Sequence, residues 1–183
     1  MTGNEFSEAL ERAADNYYEA PTLEASRYYR EELWSEVLPG LWQGGTHDDD
    51  IVWYGARNKQ VGVTAGDFDF VTTLYASANP VDWLVEEIRF GIYDSDVDHI
   101  DKDRLFRIVK QTHDAWQNGD RVLVRCQAGW NRSGLVTALV LMRDGMPAEE
   151  AIALIREKRS PHALCNAEFE KWLIELETRI LQN

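Results

Sequence analysis

The chain has 183 residues, 44% of them apolar, which is enough for one domain with a real hydrophobic core. A formal charge of −13 repels nucleic acid and anionic membrane surfaces, so neither is expected as a partner. Its two cysteines, Cys126 and Cys165, exclude a disulfide framework and point to a reducing compartment. No apolar run approaches membrane-spanning length, and Met1-Thr2-Gly3-Asn4-Glu5 has no basic-then-apolar pattern, so a cytoplasmic protein is expected.

In chain order, Asn4 to Asn16 and Leu23 to Val37 are predicted as two helices broken at Pro21. They form an N-terminal helical extension over residues 1–33, ahead of a domain over 34–183. Packing on that domain is the simpler role; gating its site or recruiting a partner is the alternative. Gly44 to Asp50 is a turn-rich loop whose three aspartates suit a cap or a solvated loop better than a metal. Phe68 to Ala76 reads as a strand, and so does Val85 to Ile92, although its alternation is rough. Ile100 to Gln117 is an amphipathic helix with Leu105, Ile108, Val109, Thr112 and Trp116 on one face, ended by Asn118-Gly119-Asp120. Arg121 to Arg125 is a strand and Arg132 to Arg143 a helix, stopped by Gly145. Pro147 to Lys158 carries Pro in its first helical turn, and Asn166 caps a last helix to about Leu181. Strands alternating with helices imply an α/β fold: a mostly parallel or mixed sheet flanked by helices on both faces.

The most telling run is Cys126-Gln127-Ala128-Gly129-Trp130-Asn131-Arg132-Ser133. It lies between the Val122-Leu123-Val124 strand and the helix beginning near Arg132. Strand, tight loop and helix start aim successive backbone N–H groups at one point, which binds an anion. The same positive field favours Cys126 as a thiolate nucleophile. Arg132 adds a planar fork of donors that matches two phosphate oxygens. Nucleophile, anion cradle and clamp together suit phosphoryl transfer to cysteine.

Cys-x-x-Gly-x-x-Arg-Ser, as Cys126, Gly129, Arg132 and Ser133, resembles the signature loop of cysteine-dependent protein tyrosine phosphatases. Gln127-Ala128-Gly129 is most similar to the dual-specificity branch. The resemblance runs roughly from Trp34 to Leu176. It takes in Val37 to Gly45, similar to an opening strand segment, and Phe70-Val71-Thr72-Thr73-Leu74, similar to a first buried parallel strand. Asn131 to Leu135, Arg159-Ser160-Pro161 and Asn166 to Leu173 resemble the region after the loop. The family usually places His before the cysteine; here Arg125 stands there and is expected to bring positive charge of its own.

The resemblance implies a phosphocysteine mechanism that needs no metal or other cofactor. Cys126 attacks phosphorus, while Arg132 and the amides of Gln127, Ala128, Gly129, Trp130 and Asn131 hold the equatorial oxygens. Ser133 helps release the thiolate. A carboxylic acid must protonate the leaving oxygen. Asp94 and Asp96 stand 32 and 30 residues before Cys126, where such families carry the acid; Asp94 is favoured, with Asp96 and then Asp98 as alternatives. The implied substrate is a phosphorylated protein or peptide. Lipid-directed members often carry lysines in this loop, and none is present.

Two other functions remain open on the sequence. Gly129-Trp130-Asn131-Arg132-Ser133 is also similar to the loop of RNA 5′-triphosphatases, although the acidic charge opposes RNA. The loss of the usual His also fits a phosphate-binding module without turnover. Cys165 reads as structural, with a redox link to Cys126 as the alternative. His47, His99, His113 and His162 are scattered and lack metal-ligand spacing.

Overall fold

Pro39-Gly40 interrupts an apolar run and sets the first hairpin. Strands β1 (Trp34–Leu38) and β2 (Leu41–Gly44) pair antiparallel around it, with Trp34 opposite Gly44 and Leu38 opposite Leu41. Gly40 takes a φ of 82°, which favours glycine, and its N–H donates to the Glu36 carboxylate at 2.9 Å. This corrects the helix expected to reach Val37. Trp34, Val37 and Leu38 lie three and four apart and mimic a helical face, but pairing with β2 buries Val37 and prevails. The rest of the predicted N-terminal helices, and Asp48 to Asp50, lie outside the described residues. Those are 32–46 and 62–181 of this computed structural model.

Strands β3 (Phe70–Thr73), β4 (Glu86–Arg89) and β5 (Val122–Arg125) complete a five-stranded sheet in the order β1-β2-β5-β3-β4. All its pairings except β1 with β2 are parallel. β5 is therefore central, and Val122, Leu123 and Val124 are fully buried. β3 and β4 are shorter than the runs 68–76 and 85–92 suggest. β5 offers only four residues to pair with before the chain turns away at Cys126.

Four helices follow the predicted spans to within two residues: α1 (Lys102–Gln117), α2 (Asn131–Arg143), α3 (Ala148–Lys158) and α4 (Ala167–Leu181). Asp101 caps α1 by accepting from the Arg104 N–H at 3.0 Å, and Asn166 caps α4 by accepting from the Glu168 N–H at 3.1 Å. Pro147 sits at the N-cap of α3 with ψ 148°, one position before the first turn where it was expected. α2 is buried continuously from Ser133 to Leu141 and forms the spine behind the loop.

Val122 and Val124 face the main core, which gathers Ile108 of α1, Leu135 of α2, Ile155 of α3 and Phe169 of α4. Leu123 faces the other side, among Val63, Phe68, Val71 and Val85. There the Trp34 and Trp42 rings meet Phe68 edge-on at 5.1 and 5.8 Å. The architecture is thus a mixed α/β sheet flanked by helices. Among the described residues no helix is long and apolar enough to cross a membrane.

At the start of β5, Arg121 donates from its backbone N–H and its guanidinium to Asp69 at 2.9–3.0 Å. These hydrogen bonds hold the Asp69 carboxyl down at about 2, against an ordinary value of 3.8. A depressed folded-state value adds stability above the unfolded value, and that stability is lost as pH falls from about 4 to about 2. Solvent screening at this half-exposed pair limits it to about 1 kcal/mol. Asp69→Asn should therefore unfold at lower urea than the native chain at pH 6, with the gap closing by pH 2. A constant gap would show that the pair carries no charge-dependent stability.

Candidate active site

β5 delivers Cys126 to the carboxyl end of the central strand, and α2 begins five residues later at Asn131. Between them the loop sits on the backbone that leaves β2. Cys126 N–H donates to Gly44 O at 3.1 Å, and Thr46 N–H donates to Gln127 O at 3.0 Å. Gly129 takes a φ of +77°, and a Cβ there would lie 2.4 Å from the Gly44 carbonyl carbon. A Cβ on Gly45 would lie 2.7 Å from Gln127 O. Only glycine allows this approach.

The loop carbonyls are tied from outside. Gly129 O accepts from Gln43 Nε2 at 3.1 Å and from Arg159 Nε at 3.3 Å. Arg159 also donates to Ser35 Oγ at 3.2 Å. Trp130 O accepts from Leu164 N–H at 3.3 Å and Gly134 N–H at 3.2 Å. On the inner side, Gly129 N–H donates to Cys126 Sγ at 3.3 Å, and Ser133 Oγ lies 3.3 Å from the same sulfur. Cys126 is 2% exposed and Ser133 is buried. The sulfur thus accepts from a backbone N–H, and the Cys126 thiol donates to the Ser133 hydroxyl oxygen.

Arg132 arches over this loop. Its Nη1 and Nη2 make long contacts with Ile92 O at 3.5 Å and Gln127 Oε1 at 3.4 Å, and its guanidinium lies 5.3 Å from the Tyr75 ring centroid. Its Nε is buried with no hydrogen-bond partner among the described residues. An orphaned charged donor is costly, and an oxyanion in the loop would satisfy it.

The three candidate acids separate. Asp94 reaches the loop: its Oδ2 accepts from Asn131 Nδ2 at 3.1 Å and its Oδ1 from Asn166 Nδ2 at 2.9 Å. Asp96 instead caps the 3₁₀ turn Val97–His99, accepting from Asp98 N–H at 2.9 Å and pairing with His99 at 3.4 Å. Asp98 points to solvent beside Lys102.

Arg125 differs from expectation. Its side chain runs to the β3–β4 side of the sheet, not to the sulfur. Nε donates to Thr73 Oγ1 at 2.9 Å, and Nη2 donates to Asn79 O at 2.6 Å and pairs with Glu87 Oε1 at 3.0 Å. Burial pushes the Glu87 carboxyl up, but hydrogen bonds from Arg89, Thr73 and Arg125 outweigh it and hold the group below its usual range. The positive charge expected beside the thiol is therefore matched by a carboxylate two strands away, on β4.

The other loop residues lie around Cys126. Gln127 meets Arg132, the Ala128 backbone rests on Gly45, and the Trp130 ring lies 5.8 Å from that of His162 at the rim. Cys165 is exposed and its thiol donates to Asn131 Oδ1 at 3.3 Å; both cysteines are free. Among the described residues no three His, Cys, Asp or Glu side chains could hold a metal. Gln43, Tyr75 and Arg159 join the site without being expected there from the sequence. The signal in the sequence is a lone polar residue, Gln43, directly after the apolar pair Leu41-Trp42, and its burial is seen only in the fold.

Comparison with known proteins agrees with this geometry. A curated tyrosine phosphatase-like protein, 123R of Invertebrate iridescent virus 6, is 37% identical over 76 residues, or 38% of this chain. The match spans about half, 54%, of that relative's own length. Human DUSP28 superposes with a TM-score of 0.63 at 21% identity, over 84% of this chain and 97% of its own. Tk-PTP in its active form gives 0.61 at 25% identity, over 80% and 97%. The model of the family described as dual specificity phosphatase, catalytic domain, matches residues 64–179, more than half of the chain, and the chain belongs to that family.

Proposed function

We propose that the chain hydrolyses phosphate monoesters, those of phosphotyrosine and of phosphoserine or phosphothreonine in proteins, through a phosphocysteine on Cys126. The observation that carries this is the pairing of a buried sulfur, facing Gly129 N–H and Ser133 Oγ, with the unsatisfied Arg132 Nε above the same loop. In the first step the thiolate attacks phosphorus, a P–S bond forms and the P–O bond breaks. Asp94 gives its proton to the departing oxygen. Arg132 and the loop amides stabilise the charge spread over the three equatorial oxygens. In the second step water attacks phosphorus and Asp94 takes its proton. The P–S bond then breaks, Ser133 donates to the sulfur, and inorganic phosphate is left.

The family match and the description of the viral relative as tyrosine phosphatase-like support a phosphoprotein substrate. The acidic chain favours a protein over RNA, and free thiols suit the cytoplasm. The test is hydrolysis of an aryl phosphate and of phosphotyrosyl and phosphothreonyl peptides in the presence of chelator. Release of phosphate from both peptides is expected. Turnover that chelator abolishes and zinc or magnesium restores would overturn the scheme.

A further inference from the structure

Asp94 is exposed and sits in a short segment between β4 and a 3₁₀ turn, yet both of its oxygens are held. The donors are two asparagine amides whose orientation is set elsewhere. Asn166 Oδ1 accepts the Glu168 N–H at 3.1 Å as the N-cap of α4, so its Nδ2 must face outward. There it donates to Asp94 Oδ1 and to Ser95 O, each at 2.9 Å. Asn131 Oδ1 accepts the Asn166 N–H at 3.1 Å and the Cys165 thiol at 3.3 Å, so its Nδ2 is likewise left to Asp94. The chain is bent into this arrangement at Leu164, which is buried and takes a φ of 56° although it is not glycine.

We propose that Asn131 and Asn166 are positioning residues that clamp Asp94 over the phosphate loop, so that its proton lies in reach of the leaving oxygen. The inference rests on Asp94 being the general acid. Asn131 belongs to the loop and Asn166 to the start of α4, so the acid is aligned to the nucleophile through two rigid helix starts and not by its own segment. Protonation of Asp94 leaves one oxygen as acceptor for Asn166 while the other turns its hydrogen to the substrate.

The test compares phenyl phosphate, whose leaving group needs a proton, with 2,4-dinitrophenyl phosphate, whose leaving group does not. Asn166→Ser keeps a capping oxygen for α4 but cannot reach Asp94. It should lower the ratio of phenyl to dinitrophenyl turnover about tenfold, a part of the whole effect of general acid catalysis. Asp94→Asn should lower that ratio further, and the double variant should match Asp94→Asn alone. Equal losses on both esters, or losses that multiply in the double variant, would overturn the clamp and leave Asn166 as ordinary support. An unchanged ratio in Asp94→Asn would instead remove Asp94 as the acid, and the clamp with it.

Discussion

Cys126→Ser is expected to abolish turnover, lowering it by roughly 10⁴-fold or more, while inorganic phosphate or vanadate still binds. A serine hydroxyl in the same place has the same neighbours, Gly129 N–H and Ser133 Oγ, but oxygen there is a far weaker nucleophile than sulfur. The cradle is built from backbone groups that Gln43, Arg159 and Thr46 hold through the carbonyls of Gly129 and Gln127, so it should survive the change. Arg132→Lys should be nearly as damaging, by about 10²- to 10³-fold, because an ammonium cannot present the parallel donors that Nε and Nη2 offer to two oxygens. Steady-state rates with an aryl phosphate, together with oxyanion titration, decide the matter. Turnover persisting in Cys126→Ser would move the nucleophile elsewhere.

Glu87→Gln should destabilise the fold by about 3–5 kcal/mol, because it removes the carboxylate charge that pairs with the buried Arg125 guanidinium. Arg125 is 5% exposed and Glu87 13%, so little water can replace the lost pairing. The pair also reaches across β3 at the site end of the sheet, since Arg125 follows Val124 on β5 and Glu87 lies on β4, with Thr73 of the intervening β3 bonded to both. Glu87 titrates below its ordinary range in the folded chain, so its stability is present at neutral pH and falls as acid protonates it. The variant should accordingly lose less on acidification than the native chain. Replacing both partners with methionine should recover most of the loss, as apolar substitutes for buried ion pairs often do. Urea midpoints of the three proteins measure this. A single variant as stable as the native chain would mean that solvent reaches Arg125 after all.

Some of this was open to reading from residues alone. The run from Cys126 to Ser133 is contiguous, and a strand, a glycine-bearing loop and a helix start are local conformations. Their chemistry is therefore written in one short stretch of chain. The amphipathic face of α1 and the cap at Asn166 are equally local. Spacing could not tell Trp34 to Val37 from a helical face, because only the pairing with Leu41 to Gly44 makes it a strand. It could not rank Asp94 above Asp96 by contact either, since one touches the loop and the other caps its own turn. The sequence by itself determined the α/β order of elements and the strand, loop and helix start that carry Cys126, Gly129 and Arg132, all of which depend on near neighbours. The tertiary structure alone decided where the charge of Arg125 goes, what supports Gly129 from behind and what holds Asp94. Each of those depends on a partner thirty or more residues away in the chain, brought near only when the sheet and helices bury their apolar faces.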